Sequence, residues 1–566
     1  MKFNRNILTI LLVLGFVSAC DLDSQLDNPN APTAEQASLN DLYNSIQLDF
    51  RDVYTSAQFN PGAMSRMYTS VAFTYLAGTT PNTYNGLWGN AYNDLFPNVD
   101  ALIVNSEGKG FDIHVATAMI MKAYTLMILV DLFGDVPYSE AGQGTDIISP
   151  KLDPGSDVYA AAITMLDEAI TLLTGTVAPA PAFDNFYGGD AAKWITAANT
   201  MKMRAYLNTG DLASFNAITD YIDDPSKDFQ FNYGNQRNNP NSRHGFYNNH
   251  YEVGDGDYLN TYYMWLLIGD KVDAGGLERR DPRLRYYFYR KVDDSEGQDV
   301  TTYSCHFSQY PDQDFQPAHF AAVDPRMPYC IPATDGYSGR DHMNGEGIPP
   351  DGPIRTSYGL YPFGGDFDNS EFADTRTSGI KGGLGAGIAP IILSSYVDFM
   401  RAEAIVDTNP AGARALMASG IAASMDKVES FEGLVSAKMA ANVPNKDGTP
   451  GPFNVKEFWG MNATDKSDYL FLTDSLYGAS ANPKDVLIKE FYIAAWGNGL
   501  EAYNMYRRTG MPANMMPALD QAGDFPLSFF YPSNSETRNS SVTQKDNLKV
   551  SVFWQDSNGA VSAGLY

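Results

Sequence analysis

Cysteine is nearly absent, with only Cys20, Cys305 and Cys330 in 566 residues. A disulfide-dense scaffold and a cysteine-rich zinc module are thereby excluded. Basic residues are outnumbered, 39 Lys and Arg against 67 Asp and Glu, for a net charge of −28. Such a surface repels phosphate backbones and anionic lipid, which argues against nucleic acid as a partner. Long apolar runs are also scarce. The best interior stretch, residues 115–133, contains Lys122 and Asp131 and reads as a buried core helix rather than a membrane span. Familiar catalytic patterns are missing: there is no H-E-x-x-H, no Walker loop and no G-x-S-x-G, and the glycines of 382–387 lack dinucleotide-binding spacing. Carboxylates are so abundant that a pair at glycosidase distance carries no information. Five of the six histidines fall between His244 and His342, and their separations match no zinc spacing; they read as hydrogen-bonding loop residues. The acidic turn 293–299 lacks the terminal Glu and register of an EF-hand. A structural calcium there has only that composition behind it, and no cofactor or metal is expected.

What is present begins at the N-terminus. Lys2 and Arg5 precede an apolar run over 7–17, followed by Ser18-Ala19-Cys20. The run is too short to span a bilayer, and small residues before a cysteine form a lipobox. Cys20 is expected to become the lipidated N-terminus, several acyl chains together giving stable anchoring where one gives only marginal binding. The alternative is an ordinary signal peptide that happens to contain a cysteine. With Cys20 lipidated, Cys305 and Cys330 remain as an even pair. A bridge between them closes a loop of about 26 residues and contributes roughly 3 kcal/mol in the chain-entropy model; two buried thiols are the other reading.

Residues 21–34, rich in Asn, Pro and Asp, read as a flexible tether. Helical periodicity follows near 35–58, 62–77, 86–105, 112–132, 157–173, 190–208 and 211–222, and returns near 392–407, 411–428 and 483–508. Ala162, Leu166 and Ala169 stand at the close-packing spacing of tetratricopeptide units, which stack into superhelical scaffolds. Between about 225 and 385 the periodicity fades and Asn, Gly, Pro and Tyr accumulate. The aromatics there argue against disorder and for long ordered loops. Residues 511–566 read as irregular loops and short strands. The expected fold is mainly α: a tetratricopeptide-like superhelical scaffold, about 35–224 and 386–510, carrying a large loop-rich elaboration with short strands.

A series of segments in fixed order resembles the SusD/RagB family of nutrient-binding outer-membrane lipoproteins, more narrowly its SusD-like branch. They are the lipobox with Asn28-Pro29-Asn30-Ala31-Pro32-Thr33; Asp131-Leu132-Phe133-Gly134-Asp135-Val136-Pro137-Tyr138; Asp281-Pro282-Arg283-Leu284; Tyr361-Pro362-Phe363-Gly364-Gly365-Asp366; Phe399-Met400-Arg401-Ala402-Glu403-Ala404; and Glu501-Ala502-Tyr503, Arg507-Arg508-Thr509-Gly510 and Tyr531-Pro532-Ser533-Asn534. The resemblance implies a single SusD-like domain over 35–566, surface exposure on the outer membrane, and a SusC-like TonB-dependent transporter as partner. It also implies non-enzymatic capture of an oligosaccharide or peptide; a surface glycoside hydrolase or peptidase of the same import system is the alternative. The charged residues of these segments read as scaffold: Arg401 and Glu403 as half-buried or buried charges pairing with neighbouring helices, Arg507 and Arg508 as complements to a helix C-terminus.

Capture without chemistry needs flat apolar rings for stacking and polar groups for orientation. Two clusters fit. Tyr84, Asn85 and Trp88 lie in a loop entering a helix, which looks like the place where some relatives present an aromatic platform. The other is in the loop-rich region, with Tyr247, Tyr251, Tyr258, Tyr263 and Trp265 beside the polar Arg340, Asp341 and His342. Trp88 also has helical spacing with Tyr92 and Leu95, and Tyr262, Tyr263, Trp265 and Leu266 also suit a short packed helix. Tyr84, outside any periodic run, is the cleaner candidate.

Overall fold

The computed structural model describes residues 38–175, 178–252, 257–291, 316–329, 336–345, 355–376, 378–436 and 461–555. The lipidation of Cys20, the Cys305–Cys330 pairing and the acidic turn 293–299 lie outside the described residues.

Helices of eleven residues or more form the scaffold: α1 (Leu39–Met64), α2 (Phe96–Ser106), α3 (Asp112–Phe133), α4 (Gly155–Leu173), α5 (Ala191–Thr209), α6 (Ser394–Ile405), α7 (Pro410–Glu429), α8 (Ala463–Ala479), α9 (Pro483–Ala494) and α10 (Gly499–Thr509). Ser38 and Asp190 cap α1 and α5 by accepting from backbone amides, while Gly210 and Gly510 end α5 and α10 in the left-handed region. Antiparallel neighbours pack as pairs, α3 on α4 and α6 on α7, and α1 crosses α10. At that crossing a Cβ on Gly499 would stand 2.3 Å from the Gln58 carbonyl oxygen, so only glycine permits the approach. Ala162, Leu166 and Ala169 are fully buried on α4, as their spacing predicts. Helix α3 is long and apolar enough to cross a membrane, yet most of it is buried inside the protein, Asp131 included.

Several expectations are corrected. The two helices expected over 35–58 and 62–77 are one helix ending at Met64, because Pro61 lies in the last turn and Arg66 adopts a φ of 66°. The helix expected over 211–222 stops at Ala217, where the chain turns so that the Ile222 amide donates to Thr200 Oγ1 at 2.9 Å. The expected 483–508 helix is broken into α9 and α10 by Gly497, with a φ of 95°, and by the Asn498 cap. Helix α8 has no counterpart in the sequence reading, since its polar, weakly amphipathic sequence gives little periodic signal. Residues 511–555 contain one short helix, Ser533–Arg538, and no strand among the described residues.

Among the described residues the loop-rich part carries two small antiparallel sheets. Strand β1 (Phe229–Asn232) pairs with β4 (Ile388–Ile392), and β2 (Phe288–Tyr289) with β3 (Ser357–Tyr358). With so little regular structure, these loops are held by rings. Tyr263, Tyr287, Phe288, Tyr358 and Phe363 all lie within 6.0 Å, centroid to centroid, of the buried Trp496 at the α9–α10 break.

Buried charges join the helices. Arg204 on α5 donates to Asp131 on α3 at 3.1 Å and to Glu501 on α10 at 2.7 Å. Arg508 on α10 grips Glu403 on α6 through two bonds of 2.7 and 2.8 Å and donates to Asn208 on α5 at 2.6 Å. Glu403 thus pairs with a neighbouring helix as expected, whereas Arg401 stays with its own helix, 3.7 Å from Asp398, and lies over the Tyr221 ring. Removing one partner of such a pair strands a charge in the core, so Arg508→Met should lower unfolding stability by about 3–5 kcal/mol in urea titration. Replacing Glu403 with Leu in the same protein should restore most of that loss, because no carboxylate is then left unpaired.

Candidate ligand-binding site

Most of the aromatic residues singled out in the sequence lie in the core. Tyr84 is 2% exposed, its ring against Phe133 and Phe529. Tyr247 and Tyr251 are buried and stacked on each other, and their hydroxyls donate to the carbonyls of Lys381 and Tyr358. Tyr263 is enclosed on the Trp496 ring and donates to the Tyr492 and Ile493 carbonyls. Trp265 is buried on the short helix Thr261–Ile268, with the Arg326 guanidinium over its ring. Tyr258 lies between the guanidinium groups of Arg340 and Arg355, at 4.6 and 4.1 Å. Arg340 and Asp341 are themselves buried, and the Arg340 backbone pairs with Leu259 and Thr261. These rings and charges pack in the interior, where a buried ring face offers little area to a ligand. Structure-poor loops must bury aromatics to offset the entropy of ordering them.

Asn85 and Trp88 fare differently. Both are half-buried and line an open cavity of about 430 Å³, together with Tyr92, Arg538 and Asn539. The Asn85 amide is already committed, donating to Ser533 Oγ at 2.9 Å and accepting from the Asn534 amide at 3.0 Å. Trp88 packs one edge on Phe133 and lies 4.7 Å from the Tyr92 ring.

The sequence reading missed a second surface, on the segment between α1 and the short helix Tyr75–Gly78. Here Val71, Phe73 and Leu76 are all exposed, Phe73 by 54%. The segment is nevertheless fixed from below. Ser70 accepts from the Met343 amide, the Tyr75 amide donates to the Ala522 carbonyl, and the Tyr75 hydroxyl meets both Arg66 Nη2 at 3.1 Å and His342 Nε2 at 3.2 Å. Phe73 lies over Gly345, where a Cβ would come 2.9 Å from the ring. The result is an apolar platform whose base is hydrogen-bonded and whose upper surface faces water. The visible signal is Val71-Ala72-Phe73 in a stretch bounded by Pro61 and Pro81, which the helical periodicity of 62–77 hides.

Residues 29–331 match the SusD-like family model described as starch-binding and associating with the outer membrane, and the chain belongs to that family. No curated protein matches the sequence. Among solved structures, a SusD/RagB family protein from Bacteroides thetaiotaomicron is 18% identical, with a TM-score of 0.64 over 92% of this chain and 99% of the other. A SusD homologue from Bacteroides fragilis is 17% identical, with a TM-score of 0.61 over 92% and 99%. A chitin-binding SusD homologue from Flavobacterium johnsoniae is 16% identical, with a TM-score of 0.51 over 90% and 98%. At these identities the likeness establishes the fold: a mainly α, tetratricopeptide-like scaffold with loop elaborations.

The described histidines make hydrogen bonds. His244 Nδ1 accepts from the Phe246 amide at 3.2 Å, and His250 Nε2 from the Asp257 amide at 3.4 Å. Burial pushes His244 down to about 3, and burial with Arg66 nearby holds His342 well below its ordinary value. In the unfolded chain each titrates near 6.5, so the unfolded state gains protons first as pH falls. The stability from keeping them neutral is complete above about pH 6.5 and is lost progressively below it. His244→Asn, which keeps a capping acceptor but does not titrate, should recover roughly 2 kcal/mol of the loss seen in urea unfolding between pH 7.5 and pH 5.

Proposed function

We propose that this chain is a lipid-anchored, non-enzymatic oligosaccharide-binding protein of the cell surface, handing its ligand to a SusC-like TonB-dependent transporter. The observation that carries the reading is the exposed Phe73 platform on a hydrogen-bonded base. A flat ring held rigidly in water loses little entropy on meeting the apolar face of a sugar. Val71 and Leu76 widen the contact. A chitin-binding protein among the structural neighbours supports a saccharide over a peptide, and the family description supports the outer membrane. The lipobox at Cys20 supports anchoring by lipid, with residues 21–34 as the leash.

Calorimetric titration with malto- and chito-oligosaccharides and with peptides of similar length tests this directly. Saturable binding of a saccharide without turnover is expected. Burying one face of an aromatic ring contributes roughly 2 kcal/mol, so Phe73→Ala should weaken that binding about thirtyfold while lowering thermal unfolding only slightly, since over half of the side chain faces water. Wild-type affinity in this variant would remove the platform, and release of shorter products would make the protein a hydrolase.

A further inference from the structure

The groove beside Trp88 has a chemistry unlike the rest of the protein. Its cavity of about 430 Å³ adjoins another of about 270 Å³, and the two share Tyr92, Pro137, Ala141 and Gly142 as lining residues. In a chain with a net charge of −28, none of the described residues lining the larger cavity is acidic. Among the described lining residues the one charged group is Arg538, at the end of the short helix Ser533–Arg538. Among the described residues it has neither a carboxylate partner nor a hydrogen bond, whereas most arginines of this protein are clamped to one. The nearby polar side chains divide in the same way. Asn85 is spent on Ser533 and Asn534, and Asn539 on the Pro150 carbonyl and the Ser541 amide. The side-chain amides of Asn93 and Asn534, both exposed, are uncommitted. The adjoining cavity does contain a carboxylate, Asp100, but Lys122 neutralises it.

We propose that this groove is a second saccharide subsite, taking an anionic sugar such as a uronic acid residue. The apolar ring face would lie on the Trp88–Tyr92 wall, the carboxylate would be held by the Arg538 guanidinium in two parallel hydrogen bonds, and the hydroxyls would be read by Asn93 and Asn534. With no acidic residue among the described residues lining this cavity, the guanidinium is open to an incoming anion, which meets no carboxylate in the wall. This inference rests on the reading of the protein as a saccharide binder, but it uses residues separate from the Phe73 platform.

The test is calorimetry on the full chain with an oligogalacturonate and with its fully methyl-esterified form. The acid form is expected to bind about tenfold tighter than the ester, and to lose that advantage as salt is raised. Arg538→Ala, at an exposed position with no partner to strand, should reduce acid affinity about tenfold to the level of the ester; Arg538→Lys should recover part of it. Phe73→Ala should leave the acid–ester difference intact, so failure of the platform and failure of the groove are told apart. The proposal is overturned if wild type does not bind the oligogalacturonate, if acid and ester bind alike, or if Arg538→Ala binds the acid as wild type does. It is likewise overturned if Arg538→Ala leaves saccharide binding unchanged and instead abolishes coprecipitation of the transporter, which would make the groove a protein contact.

Discussion

A single buried carboxylate, Asp131, sets the arrangement of the scaffold. Four donors from four parts of the chain converge on it: Arg204, the Tyr159 hydroxyl, the Asn504 amide at 2.7 Å and the Trp554 indole at 3.0 Å. A desolvated charge is tolerated only when its lone pairs are filled, so each donor must reach its place for the others to be worth burying. Helices α3, α4, α5 and α10 and the C-terminal segment are thereby fixed relative to one another. Arg507 seals the same point from above, donating to the carbonyls of Asp131 and Leu527 at 2.6 Å. Residues 511–555, irregular along most of their length, complete this centre and cover its rings.

A second polar centre ties the loop-rich part to the same scaffold. Arg283, fully buried, pairs with Asp281 at 2.6 Å and Glu490 on α9 at 3.3 Å and donates to Ser424 on α7 at 3.0 Å; Lys271 and Tyr469 also reach Glu490. The carboxyl of Asp281 is held below its ordinary value by the guanidinium beside it, against the upward pull of burial. With the rings around Trp496, this makes the elaboration a rigid extension of the helices rather than a set of free loops. The exposed Phe73 surface depends on that rigidity, since the base beneath it uses His342 and Met343 from the elaboration and Arg66 from the end of α1.

The scaffold was legible because its information is local. Caps such as Asp190, stops such as Gly210 and Gly510, and the spacing of Ala162, Leu166 and Ala169 declare themselves within a few residues. The pairing of Glu403 was legible as a type of interaction, and its partner Arg508, 105 residues away, required the fold. The candidate site was much less legible. Tyr258, Tyr263 and Trp265 were chosen for lying in aromatic-rich, non-periodic sequence, a property shared by a binding face and by a core built from loops. Burial decides between them, and burial is set by Trp496 and Arg355, far away in sequence. Phe73 carries no distinguishing composition. It is exposed because Pro61 and the left-handed Arg66 end α1 early and turn the chain outward.

The strongly acidic surface and an anion-binding groove are compatible because their electrostatics act over different ranges. At physiological salt the Debye length is about 8 Å, so the summed charge of the far surface is largely screened at the groove, while a guanidinium in contact with a ligand is not. What matters locally is which charges stand within a few ångströms, and there Arg538 has no acidic neighbour lining the cavity among the described residues. The net charge still has a consequence, for it slows the approach of any anion and raises no barrier to a neutral chain. A mixed saccharide, neutral over most of its length with an occasional acidic unit, would meet both conditions: it approaches without repulsion, lays neutral rings on Phe73, and is discriminated by Arg538 only after contact. Selectivity would then reside in the dissociation rate, as it does where contacts form late and at short range.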